Sequence, residues 1–358
     1  MKKIITERIQ YLLKQAKTIL FDDLKEKVKT LSKEDESVFW NEYKKSFFVP
    51  ENMSSTEYNH ESPSDKYKLS IVKFKTKKGF WDYSQGSVYK GDELITIVQR
   101  NYGSFWFAWI ENHANGHDYL LCGEDYQGQT IIELDTGKRI DYLPKGADAG
   151  FGFCWVEVFP SPNGNTIAVD GCFWACPYEV ILYDFSEPMN PPWPELDRMD
   201  SINANVIWTS NTECKVNKSM ECFKIDENIK NEHPEIYEKY KHLQDKLIDK
   251  MTDEELVQCD NFDLEPETNS DTSTYYKDFL DCKWVVPTKL EATTKYIKQT
   301  LRHRKDKDML PTKDVKTMIS RMLSWLDEED YKKIITDKTI SELLEWNDKS
   351  PSYEDMRK

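Results

Sequence analysis

No apolar run in this chain approaches ~18 residues, so the sequence offers no membrane-spanning helix. Nor is there an excess of positive charge. Asp and Glu number 64 against 49 Lys and Arg, a formal net charge of −15. Such a chain repels a phosphate backbone, which argues against broad electrostatic binding to nucleic acid or anionic lipid. The one basic stretch, Lys298 to Lys307, is short and reads equally as the solvated end of a helix. The opening residues MKKIITERIQYLLKQAK interleave charges with apolar positions. That describes an amphipathic helix, not a signal peptide. A Gly-rich phosphate loop, a G-x-S-x-G and a Cys-His pair of recognisable spacing are all missing. Without an export signal, the 8 cysteines are expected as reduced thiols in an intracellular, cytoplasmic protein.

What the chain does have is charge and aromatic surface. Charged residues make up 32% and the hydrophobic class 39%, which suits a soluble protein with a real core. Aromatics reach 13%, with 11 Trp and 19 Tyr, side chains that serve half-exposed β surfaces well. From Ile5 to Leu31, apolar residues recur in steps of three and four. This marks an N-terminal helical arm over 1–49, with Ser32 and Asp35 forming a capping-like pattern before its last helix. The polar, turn-rich stretch 50–65 reads as a linker. The pattern then changes to period two, and residues 66–226 are expected to form a β domain. Residues 227–348 read as mainly helical, with Lys283 to Pro287 able to return a strand, and 349–358 as a tail.

Two segments of the β region align. The first carries Trp109, the turn Asn115-Gly116, a strand from Tyr119 to Gly123 and a strand closing on Asp135. The second carries Trp155, Asn163-Gly164, Thr166 to Gly171 and a strand closing on Asp184. The tryptophans lie 46 positions apart, the turns 48, the glycines 48 and the aspartates 49. A strand–turn–strand–loop–strand unit of that period describes a β-propeller blade. The segment Ser161-Pro162-Asn163-Gly164 with the strand after it, and Val180 to Asp184, resemble WD-type β-propeller blades. The Gly-His and Trp-Asp dipeptides of that pattern are missing. The wider stretch 116–196 also resembles an uncharacterised family of bacteria and large DNA viruses, and for a viral member the setting would be the host cytoplasm. The expected fold is therefore a mainly β centre, an antiparallel propeller-like meander that is open or incomplete, between helical segments.

Candidate chemistry is sparse. His113 and His117 invite a metal, but flanking a two-residue hairpin turn they should diverge, with His113 opposite Asp118. Cys172 and Cys176, with Cys154 and Cys122 nearby, could hold zinc only if their segment loops. No metal or cofactor is expected. Glu124, Asp125 and Asp170 stand at the ends of equivalent strands, as a carboxylate hydrolase would require. The loops on one face of a propeller would gather Tyr126, Phe151, Phe173, Trp174 and Tyr178 among acidic residues, an aromatic surface of the kind partners anchor on. The leading reading is a non-enzymatic binding or assembly scaffold for a protein partner, with a homo-oligomer left open. The alternative is a hydrolase using the carboxylates of the same face.

Overall fold

The helical spacing of the N-terminal arm is realised as α1 (Glu7–Ala16), α2 (Phe21–Val28) and α3 (Lys33–Lys45). The Ser32 side chain accepts from the Asp35 backbone N–H, capping α3 as the sequence pattern suggests. Ile9, Leu12, Leu24, Val28 and Phe39 close a small core among the three helices. These coordinates are a computed structural model. It describes residues 7–16, 21–77, 80–144, 146–147, 152–173, 178–200, 205–220, 223–247, 251–263, 278–353 and 355–356.

After a 3-10 turn at Pro50–Asn52 the chain becomes an antiparallel meander. The first sheet holds β1 (Met53–Glu61), β2 (Tyr67–Phe74), β3 (Tyr83–Lys90) and β4 (Glu93–Arg100) in chain order. The second holds β5 (Ala108–Ile110), β6 (Tyr119–Cys122), β7 (Gln129–Glu133) and β8 (Lys138–Tyr142). A third holds β9 (Phe153–Pro160), β10 (Thr166–Phe173), β11 (Tyr178–Asp184) and β12 (Glu195–Asp200), again in chain order. The mainly β centre between helical segments is thus present. Segment 50–65, expected as a linker, instead contains β1. That strand is exposed along most of its length, so it carries no apolar alternation for a sequence reading to detect.

The first two sheets pack through Leu69, Ile71, Val88 and Val98 on one side and Leu120, Cys122, Ile132 and Leu134 on the other. Strand alternation turns Lys68, Ser70, Gln85, Tyr89 and Gln99 of the first sheet the opposite way. There they satisfy one another: Ser70 bonds Glu57, Gln99 bonds Gln85, and Lys68 lies over the Tyr89 ring. The same face also carries Val72 and the 41%-exposed Ile97, so it is mixed in character. β6 and β7 are buried along their whole length, which is why they read as near-continuous apolar runs.

The repeat holds at its turns. Gly116 N–H donates to His113 O, and Gly164 N–H to Ser161 O, so each Gly occupies the last position of a four-residue turn, with positive φ in both copies. This corrects the two-residue hairpin expected at Asn115-Gly116: the strands pair only from Ile110 and Tyr119 outward. The matched glycines share a physical cause. A Cβ at Gly123 would stand 2.4 Å from Gly128 O, and one at Gly171 2.3 Å from Cys154 O. Trp109 and Trp155 both lie on first strands, but not at the same position. Trp155 faces the matched glycine Gly171, whereas Trp109 faces Leu120, three residues before Gly123.

Contacts divide the chain into two compact units, Met1–Cys176 with Tyr183–Pro194, and Pro177–Leu182 with Glu195–Lys358. The second unit contains a three-stranded sheet of β13 (Val206–Ser210), β14 (Glu213–Met220) and β15 (Asp278–Val285), so the strand foreseen near Lys283 does pair. Its helices are α4 (Glu227–Glu232), α5 (Pro234–Tyr240), α6 (Asp253–Asp263), α7 (Lys289–Asp306), α8 (Lys313–Ser324), α9 (Glu328–Thr336) and α10 (Lys338–Lys349). A Thr288–Glu291 capping box opens α7. The basic run at Lys298–Lys307 is mostly the solvated end of α7, where cations complement the helix dipole.

Candidate binding cleft

Arg100 ends β4 almost wholly buried, and what it holds shapes the site. Its Nη1 donates at 2.7 Å to both Gly123 O and Asp125 O, and its Nε to Ser104 O at 2.9 Å. Burial lowers its pKa to about 10, which still leaves the guanidinium charged at neutral pH. The next residue continues the clamp. Asn101 Nδ2 donates to Asp125 Oδ2, its Oδ1 accepts from Tyr126 N–H, and its backbone N–H donates to Glu124 O. Asp125 Oδ1 also accepts from Gln127 N–H, an Asx turn within the loop. Gln127 in turn bonds Ala147 O and Gly152 N–H. The loop Glu124–Gly128 is thereby fixed by buried hydrogen bonds on both sides.

In front of this loop, within the first unit, lies a cleft of about 570 Å³, the size range of small-ligand or side-chain pockets. Its aromatic wall comes from Trp40 and Tyr43 of α3, Trp81, Tyr83, Tyr126 and Tyr142. Trp81 is 51% exposed, yet its Nε1 donates to Asn101 O at 2.9 Å, which fixes the ring. Tyr102 and Tyr126 flank it with ring centroids at 5.8 and 6.5 Å. Burial raises the Tyr83 pKa to about 12, so its hydroxyl remains a donor.

The carboxylates of the cleft are compensated. Arg139 holds Asp141 through Nε and Nη2, reaches Glu124 at 3.2 Å, and donates to Ile97 O. Asp141 Oδ1 accepts from Thr130 as well. Lys44 of α3 approaches Glu124 Oε1 at 3.4 Å. Its burial pulls the ammonium pKa below the ordinary lysine range, against the attraction of Glu124.

The structure brings together three of the sequence-nominated residues, Glu124, Asp125 and Tyr126. Asp170 is buried on β10 and does not line the cleft. Phe173 packs on Phe153 with centroids 5.0 Å apart, and Tyr178 lies half-exposed at the start of β11 in the second unit. Phe151, Trp174 and Cys176 lie outside the described residues. Sequence reasoning missed Trp40, Lys44, Trp81, Arg139 and Asp141. An aromatic dipeptide, Phe80-Trp81, in a polar turn was a signal for one of them. Nothing in the sequence joins Lys44 to Glu124, 80 positions away.

The two histidines do diverge. His113 is buried with Nε2 3.1 Å from Phe185 O, while His117 Nδ1 lies 2.7 Å from Asp135 Oδ2. Asp118, the expected partner of His113, instead accepts from Asn112 N–H and the Tyr67 hydroxyl. Cys172 faces Cys154 across the β9–β10 pair, with the Cys154 thiol directed at Gly152 O, and Cys122 is buried. Among the described residues no group of three or more His, Cys, Asp or Glu is placed to hold a metal ion.

The His117–Asp135 pair supplies a pH prediction. The hydrogen bond that His117 donates to Asp135 raises the His117 pKa, so its contribution is full below the unfolded value near ~6.5 and is lost as pH rises through the folded value. Burial acts to raise the Asp135 pKa, but the bond from His117, the backbone N–H bonds and the His117 charge together outweigh it and the net shift is downward. Its contribution is therefore lost only as pH falls through that lowered value. The pair should stabilise most between the carboxylate and imidazole ranges. In urea titrations, the advantage of the native chain over Asp135→Asn should be larger at about pH 5.5 than at about pH 8. Equal differences at both would remove the pair from the stability account.

Fold and site together define a β-meander protein of successive four-stranded sheets with an aromatic cleft at one loop end. Among known proteins, the chain is similar to uncharacterized protein R762 of Acanthamoeba polyphaga mimivirus, with 37% identity over 145 residues. That match covers 40% of this chain and about 56% of the viral protein's length. No family model matches. Of solved structures, a chain of a Chaetomium thermophilum Polycomb Repressive Complex 2 bound to GSK126 aligns over 45% of this chain and 39% of its own, at 12% identity and a TM-score of 0.27. A eukaryotic initiation factor aligns over 47% and 49%, at 11% identity and 0.23. Likenesses at that level carry no argument about function. No helix among the described residues is long and apolar enough to cross a membrane.

Proposed function

We propose that the protein is a non-enzymatic binding scaffold of the cytoplasm, built on WD-like repeats, and that a protein partner is held at the cleft of the first unit. The observation that carries this reading is Trp81, a large aromatic half in solvent whose ring is nevertheless fixed by a hydrogen bond. An immobilised, exposed aromatic loses little conformational entropy when a partner covers it, which is what makes such residues anchors. The carboxylates support binding over hydrolysis. Asp125 is consumed in shaping its loop, Asp141 is bonded by Arg139 and Thr130, and Asp170 lies elsewhere, which leaves Glu124 as a single accessible acid where a paired-carboxylate hydrolase needs two. A general acid or base needs a carboxylate at liberty to exchange a proton with substrate.

The test is Trp81→Ala, with thermal unfolding and partner capture measured on the same variant. Its melting temperature should stay within about 2 °C of the native chain, because little buried contact is removed. Capture of a protein identified on the native chain should fall at least ten-fold. A large drop in melting temperature would make Trp81 structural, and unchanged capture would place the partner surface elsewhere.

A further inference from the structure

Among the described cation–carboxylate contacts of the cleft, the Lys44–Glu124 pair is the longest. Arg139 holds Asp141 at 2.7 Å and Glu124 Oε2 at 3.2 Å, with its other nitrogens also engaged. Lys44, by contrast, touches Glu124 only at 3.4 Å, to Oε1 and again to the backbone oxygen. Its side chain is only 20% exposed, whereas that of Glu124 is 37% exposed. A long contact returns little for the desolvation of an ammonium ion. Among the described ion pairs of the cleft, Glu124 is thus the carboxylate held at the longest distances, 3.2 Å to Arg139 and 3.4 Å to Lys44. It shares the cleft with Trp81, whose flanking rings Tyr102 and Tyr126 leave one half in solvent.

We propose that the cleft takes an arginine side chain from an extended segment of a partner protein, stacked on Trp81 and bonded to Glu124, and that Lys44 is an internal placeholder displaced on binding. This rests on the cleft reading above and gives the partner's chemistry. A guanidinium is planar and weakly hydrated, so it combines an aromatic face with a carboxylate better than an ammonium does. The net charge of −15 favours encounter with a basic segment. Lys44 keeps Glu124 paired in the unliganded protein, which otherwise would hold a half-buried carboxylate one contact short.

The experiment uses the full chain and blocked nonapeptides with arginine at alternate positions, against the same peptides with citrulline, lysine or glutamate there. Binding is read by calorimetry and by tryptophan fluorescence. The arginine peptide should bind at least ten-fold tighter than the citrulline peptide, which keeps the shape and removes the charge. Lys44→Met should tighten it about three-fold or more, and Glu124→Gln should weaken it at least ten-fold. Arginine and citrulline peptides that bind alike, with both signals lost in Trp81→Ala, would overturn the arginine proposal while leaving the cleft as a binding site. Weaker binding by Lys44→Met, in a variant whose melting temperature is unchanged, would overturn the placeholder role. If no peptide binds while Trp81→Ala still abolishes partner capture, the proposed ligand is wrong and the cleft reading stands. If Trp81→Ala also leaves capture intact, both fall.

Discussion

Trp155→Ala is expected to lower the stability of the first unit by about 3–5 kcal/mol, the usual loss when a buried tryptophan is truncated in a core that cannot collapse around the gap. Trp155 is 4% exposed on β9 and packs against Trp106, Tyr183 and Trp193, with ring centroids 5.6 to 5.7 Å away. Trp193 is itself pinned by its Nε1 bond to Pro188 O and by Phe185. These rigid neighbours have no small movement that fills the void. Urea unfolding followed by circular dichroism should show the midpoint falling sharply with little change of slope. Trp155→Phe, which keeps much of the ring volume, should lose less than half as much. A loss near 1 kcal/mol or below for alanine would mean that the cluster relaxes, and the packing account would fail.

Arg100→Met should be the second large effect, about 2–4 kcal/mol, through hydrogen bonding rather than volume. Methionine fills much of the same space but removes the Arg100 donors from Ser104 O and Gly123 O, and leaves Asp125 O with the Gly128 N–H alone of its two donors. The loop would have to open to hydrate them. Opening it also loosens Asn101, and with it Trp81, so the variant should lose cleft binding along with stability. Arg100→Lys should not rescue, because a single ammonium cannot reproduce the fork that spans carbonyls from two loops. Amide exchange over residues 123–128 separates local from global opening. Protection lost there at unchanged protection in β6 and β7 is the expected pattern. Unaltered protection in the loop would show that Asn101 and Gln127 suffice to hold it.

The legible part of this protein was what short-range physics writes into the chain. Helical spacing marked α1 to α3, the region of α5 and α6, α8 and α10, and the Ser32 cap was readable because a capping side chain serves a backbone N–H only three residues away. Buried strands such as β6 and β10 showed themselves by apolar content, and the two Asn-Gly turns by their need for a residue tolerant of positive φ. β1 was silent because an exposed edge strand has no buried face to pattern. The offset between Trp109 and Trp155 was legible only in part: the tryptophans lie 46 positions apart against 48 for the glycines, and the rest comes from the pairing register of each hairpin, which a residue count does not carry.

The cleft divides along the same line. Glu124, Asp125 and Tyr126 could be nominated because they follow a strand within one repeat. Their partners Arg100, Arg139 and Lys44 come from β4, β8 and α3, and only the folding of these elements together makes them neighbours. The sequence by itself determined the charge, most of the helices and the buried strands, and their order. The tertiary structure decided which carboxylates are neutralised and which aromatic remains half in water. Periodicity and turn chemistry act over three to eight residues, whereas a hydrogen bond or ion pair depends on positions set by the whole unit.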